Sequence, residues 1–108
     1  SSTNLKLNHN DITFSGREVY LSDEFISMSG NPIIFSKKDT FEGYSDEIRI
    51  DLKKKLLYLS GTSNILIDGK DITGEEIIFD YLNNNILNSE NLRIKSGNSW
   101  TQKYKKKL

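Results

Sequence analysis

The centre of the chain, residues 46–68, places its apolar residues at every second position. Ile48 and Ile50 lie two residues apart between charged neighbours, and later apolar residues of the segment keep this spacing. Side chains on one face of a β-strand recur at a spacing of two, whereas those on one face of a helix recur at three and four. The segment therefore predicts strands, with a charged turn at 53–55 and a break at Gly61.

The same pattern returns further along the chain, at an offset of about 29 residues. The pentapeptide at 47–51 has its counterpart at 76–80, and the polar turn 83–85 stands where 53–55 stood. A looser copy covers 18–30 and matches after a slip of one or two residues. Self-similarity at a fixed interval indicates a repeat architecture, so we predict three copies of one β-hairpin unit.

The flanking segments are consistent with short strands joined by turns, and no stretch has helical spacing. Residues 5–7 are either a first edge strand or a frayed terminus, and Ile33 and Phe35 share one face of a strand. Pro32 has no N–H, which places it at a strand's first residue or on an edge. This reading is all-β and fits an antiparallel sandwich, a jelly roll or an open solenoid. We assign one domain to 1–95 and a basic C-terminal tail to 96–108.

Composition removes several classes of function. The chain has 108 residues, 15 basic against 15 acidic residues and no cysteine, which excludes disulfides, thiolate metal sites and cysteine nucleophiles. Its apolar runs are far shorter than a membrane helix. His9, the sole histidine, has no catalytic or metal-binding pattern around it, so we predict neither an enzyme nor a cofactor or metal site. The acidic pairs 23–24, 46–47 and 75–76 are interpreted as solvated residues at strand entrances.

What remains is an apolar stripe that should face one way. Either its members pack on one another as a core, or the sheet is not fully closed and they line a groove for an apolar ligand. Periodicity does not separate these two readings. The candidate groove-facing, lipid-binding residues are Val19, Leu21, Ile26, Met28, Ile33, Phe35, Ile48, Ile50, Leu57, Leu59, Ile65, Ile67, Ile77, Phe79 and Ile86.

Four short motifs, in order, give the chain a resemblance to a known family. They are Gly-x-Pro at 30–32, Gly-x-Ser at 43–45, Leu-x-Gly at 59–61, and an Ile-x-Gly-Glu-x-Ile-x-Phe segment at 72–79. Their order and spacing resemble the periplasmic lipopolysaccharide-transport proteins of the LptA and OstA-like family, over about 19–94. That family usually has at least one more N-terminal repeat than this chain shows.

The resemblance implies an open antiparallel β-jelly roll, shaped like a folded taco, whose inner face carries the acyl chains of lipopolysaccharide. It implies a periplasmic, non-enzymatic carrier in outer-membrane biogenesis of Gram-negative cells. It also implies partner jelly-roll domains at the inner and outer membranes and end-to-end homo-oligomers, with no nucleic acid. Since strand edges pair readily, the edges near 5–14 and 92–94 are the expected contacts. The alternatives are an LptC-type component of the same pathway and a closed β-sandwich acting as a structural or interaction module.

Overall fold

The structure is a computed structural model that describes residues 4–88, 90–96 and 99–103, the last of these for the backbone only. The described chain is all-β, as predicted. Its ten strands are β1 Leu5–His9, β2 Ile12–Gly16, β3 Glu18–Leu21, β4 Phe25–Lys37, β5 Phe41–Asp51, β6 Leu56–Ile67, β7 Lys70–Asp80, β8 Asn85–Ile86, β9 Leu92–Ser96 and β10 Ser99–Lys103.

These strands form one antiparallel sheet in the order β1-β2-β4-β5-β6-β7-β9-β10, with β3 beside β4 and β8 beside β7. Strands β1 and β10 stand at the two ends of this order, so the sheet is open and does not close into a barrel. This confirms the predicted open antiparallel jelly roll. In the described part of the chain, no helix is long and apolar enough to span a membrane.

The glycine breaks predicted from the sequence are bulges inside long strands. Pairing between β4 and β5 shifts register between Ser29 and Ile33, and similar shifts occur in β5, β6 and β7. Extra residues in one strand of a pair bend the strand and strengthen its twist. The segments on either side of Gly30, Gly61 and Gly74 are therefore two halves of one strand, where the sequence had indicated separate strands.

The bulges lie side by side and form a fold line across the four long strands, at 30–32, 45–46, 61–62 and 75. This line divides the sheet into two half-sheets. Half-sheet A contains 18–21, 25–29, 47–51, 56–60, 76–80 and 85–86. Half-sheet B contains 5–9, 12–16, 33–37, 41–44, 63–67, 70–74, 92–96 and 99–103.

The two half-sheets pack inner face to inner face. Phe79 shares a row of the sheet with Ile50, through Leu57. Phe41 lies nine residues from Ile50 along β5, a distance of about 30 Å in an extended strand. The rings of Phe41 and Phe79 are nevertheless 4.9 Å apart, edge to face. Such a contact requires the sheet to fold back on itself.

The hairpin repeat is visible in the turns of half-sheet A. Asp51 accepts backbone N–H bonds from Lys53 and Lys54 at 3.0 and 2.8 Å. Asp80 accepts those of Leu82 and Asn83 at 3.0 and 3.1 Å. An aspartate that bonds the backbone two and three residues ahead fixes a turn. The 29-residue offset thus places the same turn-forming carboxylate in successive hairpins.

The C-terminal edge of the sheet differs from the predicted one. Residues 92–94 belong to β9, which pairs with β7 on one side and with β10 on the other. The predicted boundary at 95/96 lies within β9, and the division into domain and tail stays a prediction. Residues 104–108, which include three lysines, lie outside the described residues.

Candidate functional site

The candidate lipid-binding residues lie between the two half-sheets. All of them are buried except Val19, Leu21 and Ile86, with exposed fractions from 0 to 8 %. Ile33 and Phe35 are completely buried, whereas Ile34 between them is 52 % exposed, which settles their register. These side chains pack on one another and fill the interior, so the core reading and the groove reading refer to the same surface.

The three exceptions lie at the margins of half-sheet A. Val19 and Ile86 are partly buried and pack against the core. Leu21 is 71 % exposed, although its register opposite Ile26 puts it on the inner side of the sheet. It is the last residue of β3, and β3 has a neighbouring strand on one side only. Leu21 therefore belongs to the rim of the interior and not to its packed centre.

The interior also contains residues that the sequence did not assign to the stripe. They are Ile12, Phe14, Phe41, Ile72, Tyr81 and Leu92. The inward positions of β5 change at the bulge from odd to even numbers, and those of β7 change from even to odd. Phe41 and Ile72 precede these changes, so one alternation extended from the central strands does not reach them. A change of alternation phase with no turn nearby is the sequence signal that could have identified a bulge, but it was interpreted as a break between strands.

Two buried serines hold the fold line together. The hydroxyl of Ser45, completely buried, lies 2.9 Å from the carbonyl oxygen of Glu47, 3.0 Å from that of Ser60 and 2.8 Å from Ser63 Oγ. Ser63 Oγ lies 2.9 Å from the carbonyl oxygen of Gly61. Bulges leave backbone groups outside the ladder, and buried polar groups require partners. The two hydroxyls place hydrogen-bond donors beside backbone carbonyl groups at the bend.

A close contact between β5 and β6 lies beside these serines. Gly61 has φ +83°, and an added Cβ would lie 2.4 Å from Asp46 Oδ2. The same oxygen accepts the backbone N–H of Thr62 at 3.0 Å. Glycine adopts positive φ without steric penalty, and it leaves room for the Asp46 carboxylate. The fold line is thus fixed by chemistry specific to these positions.

The opposite margin of the half-sheets, which we call the mouth, is held by side-chain contacts. Tyr81 is 1 % exposed, and its hydroxyl lies 3.1 Å from His9 Nε2 with the rings edge to face. His9 ends β1 in half-sheet B, whereas Tyr81 follows β7 in half-sheet A. With Phe41 and Phe79, this pair joins the half-sheets at the mouth. It connects residues 72 positions apart in the chain.

Burial changes the ionisation of both partners of this contact. Desolvation, and secondarily the charge of Lys55, lowers the pKa of His9. Desolvation, followed by the charge of Asp51, raises the pKa of Tyr81. Each shift favours the neutral form, because burial penalises the charged one. The mouth is therefore held by a neutral imidazole and a neutral phenol at pH 7.

The described residues were also compared with what a metal site requires. No group of three or more histidine, aspartate or glutamate side chains there could hold a metal ion. His9 lies at the end of β1, and its Nε2 contacts the hydroxyl of Tyr81. What the arrangement offers is a continuous apolar interior between two hinged half-sheets.

The motifs that carry the family resemblance lie on or beside the fold line. Residues 30–32 form the bulge of β4, 43–45 lead into that of β5, and Gly61 lies at that of β6. An added Cβ at Gly43 would lie 2.1 Å from the carbonyl oxygen of Asn64. These short motifs thus encode where the sheet folds.

Comparison with known proteins is informative about the fold. No family model matches the chain, and no curated protein matches it. Among solved structures it is similar to LptH of Pseudomonas aeruginosa, the LptA-homologous periplasmic component of the lipopolysaccharide transport device, with a TM-score of 0.61 and 15 % identity. The match covers 83 % of this chain and 64 % of that one. The similarity shows that this chain has an LptA-like jelly-roll fold.

Proposed function

We propose that this chain is a non-enzymatic carrier that binds the acyl chains of lipopolysaccharide between its two half-sheets. The observation that supports this most strongly is the inner face, which is apolar on both half-sheets and belongs to one sheet with open ends. The fold it shares with LptH, a periplasmic component of lipopolysaccharide transport, supports the same function and a periplasmic location. In this proposal the chain forms part of the bridge from the inner to the outer membrane.

Loading a lipid means exchanging contacts, because the interior is filled by its own side chains. Each methylene removed from water contributes about 0.8 kcal/mol. Separating the half-sheets removes side-chain contacts of similar character, so the net affinity is much smaller than the buried acyl area suggests. The acyl chains of the ligand and the side chains of the opposite half-sheet compete for the same inner face. This makes binding reversible, and handing the lipid on requires no chemistry.

Access for the lipid is expected at the mouth. The fold line is continuous in the backbone and fixed by Ser45 and Ser63, whereas the mouth is joined through side chains such as Phe41–Phe79 and His9–Tyr81. Side-chain contacts separate without breaking the sheet's backbone ladder. Acyl chains would enter there, while sugars and phosphates stay in water.

Site-specific crosslinking tests this proposal. We would replace Phe35 or Phe79, both completely buried, by p-azidophenylalanine and illuminate the protein with lipopolysaccharide. Tyr20 and Tyr58, on the outer face, are the matched aromatic controls. Capture from the inner positions alone is the expected result. Equal capture from both faces would contradict the inward assignment.

The filled interior favours one second candidate, a closed structural or interaction module. In that case neither Phe35 nor Phe79 captures lipid, although the variants fold. Thermal unfolding by circular dichroism supplies the folding control. The same experiment therefore separates the two functions.

Assembly with other jelly-roll domains would use the sheet's edges. Strands β1 and β10 each have one hydrogen-bonded neighbour in the described chain, and a free strand edge accepts a further strand. Pairing β1 of one copy with β10 of the next is a heterologous contact that does not close into a ring. We propose end-to-end oligomers of variable length, and the same edges for the partners at either membrane.

A further inference from the structure

The outer surface of half-sheet A carries a regular row of polar side chains unrelated to the lipid interior. Glu18 pairs with Ser29, which pairs with Glu47; Glu47 pairs with Ser60, which pairs with Glu76. These five residues form what we call the acidic row. The three glutamates are spaced 29 positions apart in the sequence, so the hairpin repeat generates the row.

The acidic row borders a concave site of about 650 Å³. Its second wall is formed by Tyr20 and Tyr58, which share the next row of the sheet with Arg49. The guanidinium carbon of Arg49 lies 4.4 Å from the ring centroid of Phe25, so an aromatic ring of this site already contacts one cation. Tyr20 is 64 % exposed. The site thus combines carboxylates with aromatic surface, the two groups that attract cations.

The glutamates are available to an external cation. Ser29 Oγ donates to Glu18 at 3.2 Å, and all three glutamates of the acidic row are exposed. Arg49 is held over Phe25. Lys54 is the other basic residue lining the site, against four acidic ones, Glu18, Glu47, Asp51 and Glu76. The excess of negative charge disfavours phosphate-bearing ligands and favours cationic ones.

Spacing selects among cationic ligands. The glutamates lie two strands apart, which corresponds to about 9.6 Å between neighbours in the row. A polyproline II helix has three residues per turn and a rise of about 3.1 Å, so every third side chain recurs at about 9.3 Å on one face. Grooves lined by aromatic residues are a known way to bind this conformation. Its backbone carbonyls are free to accept hydrogen bonds from serine and tyrosine hydroxyls of the site.

We infer that the outer face of half-sheet A binds a polypeptide segment in polyproline II conformation with lysine or arginine at every third position. The segment would lie across the strands along the acidic row, with one cation at each glutamate and apolar residues against Tyr20 and Tyr58. This inference goes beyond lipid transport and does not depend on it. It assigns a binding role to Glu47 and Glu76, which the sequence indicates only as solvated residues, and to Glu18.

The probe is a fluorescein-labelled peptide of four Lys-Pro-Pro repeats, measured by fluorescence anisotropy at low and physiological salt. Two peptides test the recognition: one has the same composition with its lysines clustered, and the other has Glu-Pro-Pro repeats. We expect the evenly spaced lysine peptide to bind more tightly than either, and its affinity to fall as salt rises. Equal binding of the clustered peptide, or no binding of any, would overturn the inference.

Variants locate the site on the protein. Glu47→Gln should weaken binding about two- to five-fold, the range for an exposed ion pair. The triple change of Glu18, Glu47 and Glu76 to glutamine should weaken it at least ten-fold. Glu42→Gln, an exposed glutamate on half-sheet B, is the matched control and should have no effect. An equal loss in the control would overturn the assignment, as would tighter binding of a glucosamine oligomer, which would indicate an amino sugar.

Discussion

Replacing Gly61 by alanine should destabilise the protein far more than the same change at Gly69. Both glycines have positive φ, +83° and +73°, so alanine experiences left-handed strain of about 1–2 kcal/mol at either position. Around Gly69 no atom lies within 4 Å of an added Cβ, whereas at Gly61 three atoms of Asp46 lie within 3 Å. The difference between the two variants therefore isolates the fold line.

The magnitude follows from what Asp46 must do. Overpacking typically costs about 1–3 kcal/mol. A displaced carboxylate also loses its bond to the Thr62 N–H, which contributes about 0.5–1.5 kcal/mol. We expect Gly69→Ala to lower the free energy of unfolding by about 1–2 kcal/mol and Gly61→Ala by about 3–5 kcal/mol.

Urea unfolding followed by circular dichroism measures both values. A domain of this size loses about 1–1.5 kcal/mol of stability per molar urea, so the two midpoints should differ by about 1–3 M. A Gly61→Ala variant in which Asp46 is also alanine should show a smaller penalty for the glycine change. Equal midpoints for Gly61→Ala and Gly69→Ala would refute the reasoning, since strain alone would then account for both.

Three further outcomes are expected. The pKa of His9 is lowered in the folded state from 6.5. The stabilisation that His9 contributes is therefore complete above about pH 6.5 and is lost as the pH falls from that value toward the lower folded pKa. The free energy of unfolding should be smaller at pH 5.5 than at pH 7.5, and His9→Phe should reduce this difference. Ser45→Ala should lower the unfolding free energy by about 1–3 kcal/mol by removing the buried hydroxyl that bonds to Ser63 and to backbone carbonyl oxygen, whereas Ser36→Ala, at an exposed position, should have little effect. Mass measured by sedimentation equilibrium should rise with concentration because the edges β1 and β10 pair, and a monomer at every concentration would contradict end-to-end assembly.

Much of the fold could be predicted because alternation is a local property. Ile48 and Ile50 identify a half-buried strand without knowledge of its neighbours, and the 29-residue offset identifies the hairpins. The same local signal fails at a bulge. Gly61 was interpreted as a break between strands, because a bulge and the end of a strand interrupt the alternation of apolar residues in the same way. Whether a chain turns or bends there depends on the strand paired beside it.

The site was predictable to a similar extent and for a similar reason. Inward-facing positions follow from strand periodicity, but Tyr81 lies in a turn, where no period applies. It contacts His9, which comes from the opposite half-sheet. The glutamates of the acidic row were visible as residues, whereas their alignment arises from the register of four strand pairs. Sequence spacing gives the face of a residue, and register gives its neighbours.

The fold line and the mouth are held by different kinds of contact, which would allow the sheet to be stable and also to act as the proposed carrier. In the proposed carrier, Ser45, Ser63 and Gly61 would keep the fold line in place while the half-sheets separate at the mouth. The contacts that a lipid would replace are apolar ones, such as Phe41–Phe79, which a hydrocarbon chain would reproduce with little loss. Only the His9–Tyr81 hydrogen bond has no equivalent in an acyl chain. Its position at the mouth therefore makes it the one polar interaction described there that loading would have to break.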